Sequence, residues 1–433
     1  MEEILKLAKK EAEIAEIFYA ESQQIPVIFE AGSLKSIESK QSEVWALRVV
    51  RQGREGFAIC AGDISRRELV SMAIECAQFG QQVAYKLPSA LDESVHVKTF
   101  DKQTEQYSSE KMVEHCQVLC DYVKSLNGDI VAEAQIEKAY GTVRLANSEG
   151  FEGTYQKSHL EVGIGGTLVR GTDMLFLSSG HSSVNPELNF DFIKSETSRQ
   201  YEWARKGNAA IKNGHMPVIF TPEGFASAFM PSLLSALNGK IVLMGASPLA
   251  EMLGKQAFDS RFNLIDAQLE DWRPASRPFD AEGASSQKLT LCKEGFVEQF
   301  IYDGKTAWQA QKSSTSSAGR SGGAPAPSYT NLMCSNGQTP FIQMVSNIKE
   351  GLIVENLLGA GQGNTLSGDF SGNVLLGYKI ENGQIVGRVK DVMISGNTFI
   401  LLKEIDDIGN DGRFIDNFYS PSFTFSKVYV ASK

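Results

Sequence analysis

The hydrophobic positions of this chain fall into two patterns: short runs of β-branched and aromatic residues, and longer stretches with apolar residues three or four positions apart. The short runs at residues 25–29 and 43–50 predict β-strands, and a further series of strands is predicted from Ile130 to about Ser179. Asn147-Ser148-Glu149-Gly150 has the composition of a turn within that series. The pattern therefore predicts strands on both sides of residue 88.

The helical pattern is clearest after Ser108 or Ser109, either of which can cap a helix that stops at Asn127-Gly128. The apolar positions of that helix form one stripe that should face the core: Met112, Cys116, Leu119, Cys120 and Val123. Four further helices are predicted: an opening helix to about Glu13, one from the capping box Ser65–Glu68 to Gly80, one from Asp191 to Lys212, and one from Thr221 and Pro222 to Asn238-Gly239.

Beyond Leu289 the pattern predicts almost only β-structure. Lys293-Glu294-Gly295 and Asn382-Gly383 are typical of hairpin turns. Between them, Lys312 to Pro327 is dense in Ser, Gly, Ala and Pro, a composition that buries too little apolar surface to offset the entropy lost on ordering. We predict a mobile loop there, long enough to suggest a function.

The length of 433 residues is too great for one hydrophobic core, since single cores stop growing at about 250–300 residues. We predict an N-terminal α/β domain over 1–88, an α/β middle domain over 89–214 and a C-terminal domain over 215–433. The fold class is α/β (α+β), with mixed N-terminal α/β domains followed by a mostly antiparallel, β-rich C-terminal domain.

Charge and hydropathy exclude two classes of partner. The net charge is −10 and no stripe of Lys and Arg offsets it, so direct nucleic-acid binding is not expected. No segment approaches the roughly 18 consecutive apolar residues of a membrane helix, and residues 1–16 lack the features of a signal peptide. We expect a cytoplasmic protein without membrane contact, whose six cysteines are buried thiols rather than disulfides.

Histidine spacing argues against a metal site in this chain. A helical zinc-protease site needs two histidines one turn apart with a glutamate beside the first, so that both imidazoles face the metal. No two of the five histidines are four positions apart: His96, His115, His159, His181 and His215. We therefore expect no metal or other cofactor in this chain.

An acidic turn, Phe279-Asp280-Ala281-Glu282-Gly283, follows a stretch without regular pattern and lies close in sequence to Arg273 and Arg277. Two interpretations stay open. The turn can pair with those arginines, because ion pairs on loops are common and individually weak, or it can form the structured edge of a cleft.

Four stretches of the C-terminal half, taken in order, resemble the third domain of the TldD/PmbA family. They are Leu237-Asn238-Gly239, the acidic turn Phe279–Gly283, the Ser/Gly loop from Ser316 to Arg320, and Leu366-Ser367-Gly368-Asp369-Phe370-Ser371. The N-terminal strands and the Asn147–Gly150 turn are similar to the first two domains of that family. The resemblance thus covers nearly the whole chain and rests on the ordered set of motifs.

The family has two branches, and the resemblance assigns this chain to one of them. TldD-like members carry a His-Glu-x-x-x-His helix that holds zinc and cuts peptides, whereas PmbA-like members, also called TldE-like, lack it. The predicted helix from Pro222 to Asn238 occupies the equivalent place, with Met230 and Ser235 near the histidine positions and Pro231 near the glutamate. None of these side chains can replace an imidazole ligand or the adjacent general base. The chain alone is therefore expected not to be catalytic.

The resemblance implies a non-metal-binding subunit of a TldD/TldE-type zinc metalloprotease that processes or degrades unfolded peptides. A TldD-like subunit would carry the zinc, and without it the chain is expected to form a homodimer. The family is also named for modulation of DNA gyrase. Two other hypotheses stay open: a stand-alone peptide- or ligand-binding protein, and an enzyme with a site that does not use zinc. The cleft residues implied are Asp280, Glu282, Gly283, Ser316 and Arg320.

Overall fold

A large antiparallel sheet dominates the first half of the chain in the computed structural model, which describes residues 1–62 and 65–432. Its strands are β1 (Ile14–Glu30), β2 (Ser33–Ile37), β3 (Lys40–Arg51), β4 (Arg54–Ala61), β5 (Val131–Asn147), β6 (Glu152–Arg170) and β7 (Asp173–Ser183). They lie in the order β4-β3-β1-β5-β6-β7, with β2 paired to β1. We call this the N-terminal sheet.

Helices cover one face of the N-terminal sheet. They are α1 (Glu2–Ala8), α2 (Arg66–Ala77), α3 (Lys102–Glu105), α4 (Ser109–Leu126) and α5 (Phe190–Ala204). Ser108 caps α4 by accepting a hydrogen bond from the amide of Lys111, and the five buried residues of α4 are the predicted stripe. That stripe packs on inward-facing strand residues such as Ile136 and Leu160, which confirms the helical spacing read from the sequence.

The other face of the N-terminal sheet meets the C-terminal half of the chain. Residues directly opposite each other on paired strands share a face, so the pairs Phe18–Leu145 and Leu145–Gly153 lie on one side. Gly153 permits a close approach of the two halves, because a Cβ there would lie 2.7 Å from a ring carbon of Phe279. A side chain at residue 153 would push the two halves apart.

The C-terminal half contains two larger sheets. Five strands of the first close into a ring in the order β8-β22-β18-β16-β15, because β15 pairs with both β16 and β8. The ring strands are β8 (Gly214–Phe220), β15 (Glu350–Leu358), β16 (Asp369–Glu381), β18 (Val392–Asn397) and β22 (Phe423–Ser432), with β17 (Gln384–Arg388) and β19 (Asp407–Ile408) attached outside it.

The second sheet of the C-terminal half runs β11-β10-β9-β14-β21-β20, and β12 and β13 form a separate pair. Their bounds are β9 (Leu264–Ala267), β10 (Lys288–Lys293), β11 (Phe296–Val297), β12 (Ala318–Gly319), β13 (Ala326–Pro327), β14 (Leu332–Cys334), β20 (Arg413–Ile415) and β21 (Phe418–Ser420). Only β8–β15 and β14–β21 are parallel among the described strand pairs of this half. The predicted class, mixed α+β with a mostly antiparallel C-terminal half, is confirmed.

Helix α6 (Pro222–Ala236) packs against the ring through stacked aromatic rings. Phe225 stacks on Phe229 at 4.5 Å and on Phe423 at 4.3 Å between ring centroids, and Phe229 stacks on Phe425 at 5.0 Å. All four side chains are fully buried, so they contribute both apolar burial and favourable ring geometry. The aromatic cluster fixes α6 relative to the strands that carry its partners.

Three predicted helices end earlier than their sequence pattern suggested. The opening helix stops at Ala8 rather than near Glu13, because the amide of Glu13 already donates to Val50 of the N-terminal sheet. Helix α2 ends at Ala77 instead of Gly80. Helix α5 ends at Ala204 rather than Lys212, since Gly207 adopts a positive φ and the next residues bond to Arg388.

Short helices interrupt the region that was predicted to be almost entirely β-structure. After α6, Asn238 caps α7 (Gly239–Leu243) instead of ending the preceding helix. The others are α8 (Gly304–Gln309), α9 (Phe341–Ser346) and α10 (Thr398–Leu401). The hairpin turns were predicted correctly, because Glu294, Gly295, Asn382 and Gly383 all have positive φ.

The segment from Lys312 to Pro327 differs from the predicted loop without buried residues. Thr315, Ser316, Ser317 and Ala318 are buried, and the hydroxyl of Thr315 accepts a hydrogen bond from the amide of Tyr302 at 2.7 Å. Polar side chains can occupy such a position because hydrogen bonds replace those made to water. Composition alone missed this, since it counts apolar surface and not hydrogen bonds.

The domain boundaries at 88 and 214 stay predictions. Strands from the proposed first and second domains are joined in one sheet, since β1 pairs with both β3 and β5. In the part of the chain that the structure describes, no helix combines the length and the apolar character needed to cross a membrane.

Limited proteolysis tests the mobility predicted for residues 312–327. Ser321, Gly322 and Ala324 are exposed, whereas residues 315–318 are buried. We expect an unspecific protease to cut this segment first, and to cut it within 321–324, because cleavage needs exposed and locally open backbone. Mass spectrometry of the first fragments gives the position. First cuts within 315–318, or elsewhere in the chain, would contradict the prediction.

Candidate functional site

Helix α6 stands in the place assigned to the zinc helix of TldD-like proteins. Thr221 caps it by accepting a hydrogen bond from the amide of Gly224, and Pro222 occupies its first turn, both as predicted. Met230 is buried in the core and Pro231 lies inside the helix, where it has no amide hydrogen to donate. Pro231 packs against Gly361, since a Cβ at residue 361 would lie 3.4 Å from the proline ring.

The last turn of α6 is held by hydroxyl groups. Ser247 donates to the carbonyl of Ala236 at 2.6 Å, and Tyr329 donates to the carbonyl of Leu234. Within residues 1–62 and 65–432, no group of three or more His, Cys, Asp or Glu side chains is arranged to hold a metal ion. Met230, Pro231 and Ser235 offer no imidazole or carboxylate to α6.

The five residues assigned to a cleft lie together, but in a buried contact. The exposed fraction is 2% for Asp280, 3% for Glu282 and 5% for Ser316. The Asp280 carboxylate joins the acidic turn to the Ser/Gly loop, because it accepts hydrogen bonds from the amides of Glu282, Ala284 and Ala318, each at 2.9 Å. The acidic turn is thus part of the interior of the chain, and its role as the edge of a cleft stays a prediction.

Two special backbone positions shape this contact. Gly283 has a φ of +87°, and a Cβ there would also lie 3.0 Å from Leu145 and Phe151 of the N-terminal half. Ser316 has a φ of +56°, which is uncommon for a residue other than glycine. Its amide donates a hydrogen bond to the hydroxyl of Ser314 at 3.2 Å, which helps to hold this backbone conformation.

A buried network of charges extends from the acidic turn into the N-terminal sheet. Arg48 donates to Glu16 at 2.7 Å and to Glu282 at 2.5 Å, and Arg320 donates to the second oxygen of Glu16 and to the carbonyl of Ala281. The side chains of Glu16, Arg48, Glu282 and Arg320 are all at least nine-tenths buried. We call these four residues the charge network; it links strands β1 and β3 to the acidic turn and the Ser/Gly loop.

A second set of polar contacts extends the charge network at its edge. Glu55 of β4 accepts hydrogen bonds from Lys305 at 2.5 Å and from Tyr85 at 2.7 Å. Glu282 also accepts a hydrogen bond from the amide of Gly304, next to the capping box that Asp303 forms at the start of α8. Helix α8 is therefore fastened to the same contact.

The electrostatics of the contact follow from burial and from its excess of carboxylates. Burial, and then the neighbouring Glu282, raises the pKa of Asp280 to about 7. Burial and Glu282 also raise the pKa of Asp303. For Arg48, burial acts against the charged form, but Glu16 and Glu282 outweigh it and raise the pKa well above its ordinary value. Arg48 therefore remains a cation throughout the physiological range.

This arrangement is suited to fastening two parts of the chain rather than to chemistry on a substrate. Its carboxylates are already bonded to amides or guanidinium groups, and the four side chains are shielded from solvent. The arginines are only partly the ones expected. Glu282 forms its salt bridge with Arg48, whereas Asp280 feels the charge of Arg277, without a salt bridge to Arg273 or Arg277 among the described residues.

Sequence reasoning missed Glu16 and Arg48, although a signal was available. Glu16 stands among Ile14, Ala15 and Ile17, and Arg48 stands within an apolar run of β3. A charged residue inside a buried strand needs a partner of opposite charge. The two could have been paired with each other on that ground, but their contact with residues 282 and 320 depends on the tertiary fold.

Comparison with known proteins places the chain in a family. Residues 213–432 match the family model described as PmbA/TldA metallopeptidase C-terminal domain, which is about half of the chain. Residues 15–77 match the model described as PmbA/TldA metallopeptidase domain 1. The chain belongs to the PmbA/TldA metallopeptidase family. The resemblance found in the sequence is thereby confirmed.

Three individual proteins show how far the similarity of this PmbA/TldA member extends. A protein named metalloprotease from Methanothermobacter thermautotrophicus is 24% identical over 424 residues, covering 95% of this chain and 91% of its own. The structure of TldE from Thermococcus kodakarensis matches with a TM-score of 0.88 at 20% identity, covering 100% of both chains. A Thermotoga maritima protein, described as a proposed modulator of a DNA gyrase, matches with a TM-score of 0.89 at 21% identity over 99% of both chains. The two structures establish a shared fold.

Removal of Arg48 tests the charge network of this PmbA/TldA chain. We expect Arg48→Met to lower the free energy of unfolding by about 3–5 kcal/mol, because it leaves Glu16 and Glu282 buried with fewer cationic partners. Urea unfolding followed by circular dichroism gives the change. Arg66→Met is the matched control, since Arg66 forms an exposed pair with Glu3. Similar shifts for both variants would contradict the assignment.

The pH dependence of stability tests the environment of Asp280. Its pKa is raised from 3.8 to about 7, so the folded chain binds a proton more tightly than the unfolded chain does. Stability contributed by this group should therefore increase as the pH falls from 8 towards 5. We expect the wild type to gain stability relative to Asp280→Asn over that range, measured from urea midpoints. A constant difference, or one of opposite sign, would refute this.

Proposed function

We propose that this chain is the non-metal-binding subunit of a two-subunit, TldD/TldE-type zinc peptidase that acts on unfolded peptides in the cytoplasm. The observation that carries the proposal is the composition of α6. Near the positions where the resemblance puts the family's zinc ligands and general base, it holds Met230, Pro231 and Ser235. A chain of this family without those ligands would depend on a TldD-like partner for the zinc and the activated water.

The surface of the ring supports an assembly of this kind. Leu358, Met393 and Tyr429 are 60%, 44% and 43% exposed, and strand register places them on one face of β15, β18 and β22. Ile400 of α10, 65% exposed, lies beside Tyr429. We call these four residues the apolar patch. Exposed apolar side chains grouped on one face in this way are typical of protein–protein contacts.

The proposed assembly has two forms. A TldD-like chain is expected to pair with this one through the apolar patch, and a second copy is expected to occupy the same surface when no such partner is present. A self-complementary patch closes most simply by two-fold symmetry, which supports a homodimer for the isolated chain. The zinc would then belong to the heteromer alone.

Co-expression with a TldD-like chain tests the proposed function. We expect a complex that contains zinc and cleaves an unfolded peptide, whereas this chain alone should form a dimer with less than about 0.1 zinc per chain and no cleavage. Light scattering, elemental analysis without a metal-affinity tag, and a peptidase assay on the complex and each half give the three readouts. About one zinc per isolated chain would refute the proposal.

Surface variants test whether the apolar patch is the surface through which the chain assembles. Met393→Glu should weaken assembly, because it places a charge in the apolar patch, whereas Met72→Glu should leave it unchanged. Met72 is the matched control, being 41% exposed on α2. A monomer that also ignores the TldD-like chain, yet binds peptides, would favour the stand-alone binding protein instead.

A further inference from the structure

Lys157 of β6 carries an amine without a partner on the face of the N-terminal sheet that meets the C-terminal half. Residues two apart on a strand share a face, so Lys157 lies on the same side as Gly153 and Tyr155, which contact Phe279. Directly opposite Lys157 on β5 is Gly141, which has no side chain to accept a hydrogen bond. Among the described residues, the Lys157 amine forms neither a salt bridge nor a hydrogen bond.

Arg277, two residues before Phe279, lies close enough to Lys157 for its charge to act on that amine. Nε and Nη2 of the Arg277 guanidinium are buried and meet no acceptor in the part of the chain that the structure describes. The N–H groups of these two nitrogens lie on one edge of the guanidinium, and such an edge binds both oxygens of a carboxylate. Arg277 thus presents a carboxylate-binding edge that no described side chain uses.

The carboxylates near Arg277 are already engaged elsewhere. Asp280 feels the charge of Arg277, but its oxygens accept hydrogen bonds from three backbone amides. Asp266 also feels that charge, and its oxygens accept hydrogen bonds from the amide and the hydroxyl of Thr330. Within residues 1–62 and 65–432, neither carboxylate forms a salt bridge with Arg277 or Lys157.

Two neighbouring cations without a contacting counter-charge disfavour each other, and the lysine is the one that can lose its proton. Burial, and then the charge of Arg277, lowers the pKa of Lys157 from 10.5 to about 8. At pH 7 about one such amine in ten is neutral, against about one in three thousand for an ordinary lysine. A neutral amine is a nucleophile, and Lys157 is only partly buried, so a molecule as small as carbon dioxide can reach it.

We propose that Lys157 is a site of carbamylation by carbon dioxide, and that the resulting carbamate pairs with the Nε–Nη2 edge of Arg277. The neutral Nζ attacks the carbon of carbon dioxide and forms an N–C bond. One C=O π bond opens to give the second carboxylate oxygen, and Nζ releases one proton to water. The modified side chain is an anion, so a repulsive pair of cations becomes a pair of opposite charge.

A carbamate on Lys157 accounts for the buried donors of Arg277 better than a diffusing anion does. A diffusing anion needs a path to donors that are shielded from solvent, whereas the carbamate forms on a side chain that already lies beside them. The modification would also link β6 to the segment that leads into the acidic turn. It does not depend on the proposed function, since it involves this chain alone.

Chemical trapping tests the modification. The full chain is equilibrated with isotopically labelled bicarbonate at about pH 8, where half of the Lys157 amine is neutral. Carbamates are then alkylated with triethyloxonium ion, and the digest is analysed by mass spectrometry. We expect the label on Lys157 at no less than ten times its level on Lys288, an exposed lysine at the start of β10. Equal labelling of the two lysines, or none on Lys157, would overturn the proposal.

Variants of Arg277 test the pairing. Arg277→Met should lower the labelling of Lys157 at least tenfold, because the carbamate loses its counter-charge, whereas Arg277→Lys should keep part of it. Arg67→Met is the control, since Arg67 is exposed on α2. Unchanged thermal midpoints establish that each variant is folded. Labelling of Lys157 that is undiminished in folded Arg277→Met would overturn the role of the guanidinium.

Thermal unfolding distinguishes a carbamate from a bound anion. Bicarbonate should raise the thermal midpoint of the wild type, because the modification stabilises only the folded chain. It should not raise that of Lys157→Arg, which keeps the charge but forms no carbamate. Chloride at equal ionic strength should change neither protein. A rise with chloride, or a rise with bicarbonate that persists in Lys157→Arg, would identify an adventitious anion and overturn the proposal.

Discussion

Two carboxylates and two guanidinium groups, buried where the N-terminal sheet meets the C-terminal half, set the arrangement of everything else in this protein. Glu16 and Arg48 come from β1 and β3, and Glu282 and Arg320 from segments more than 200 residues later. Removing charges from water is costly unless each meets its counter-charge in good geometry. The two halves therefore fit together in one relative position, because any displacement would leave a buried charge without its partner.

The apolar contacts beside the charge network also fix the position of the two halves relative to each other. Phe279 sits between Phe151 and Tyr155 in edge-to-face contacts, with ring centroids 5.2 and 5.0 Å apart, over the space that Gly153 leaves free. Aromatic packing contributes much of the buried apolar surface at this contact. The ion pairs depend strongly on geometry, and they therefore select one relative orientation of the two halves.

Local sequence patterns predicted those features that local interactions determine. The stripe of α4, the caps at Ser108 and Thr221, and the turn at Asn382-Gly383 all depend on residues a few positions apart. The end of α5 depends instead on residues 207–209 meeting Arg388, which the helical periodicity of residues 191–212 cannot reveal. Helix α8, which Asp303 caps, was not predicted, because a short helix has too few turns to show a period.

In the candidate site, too, sequence patterns predicted some features, whereas others depend on the tertiary fold. The ordered motifs identified the family and brought Asp280, Glu282, Gly283, Ser316 and Arg320 into one group, and the structure places them side by side. Whether such a group is open or buried depends on what covers it, and the cover comes from β1 and β3. A charged residue inside each of those strands indicated that a partner of opposite charge was needed. It could not identify that partner, because Arg48 and Glu282 are 234 residues apart in the sequence.

The closed ring delays part of the folding of this chain during its synthesis on the ribosome. Strand β8 bonds to β15 and β22, which are translated more than 100 and about 200 residues later. Its backbone amides and carbonyls must wait without their final partners while the intervening chain is made. The N-terminal sheet is complete much earlier, because all its strands precede residue 184, although β1 also waits more than 100 residues for β5. Synthesis thus produces a folded platform first and a ring that closes only with its last strand, leaving β8 dependent on the platform, or on a chaperone, for shelter in the interval.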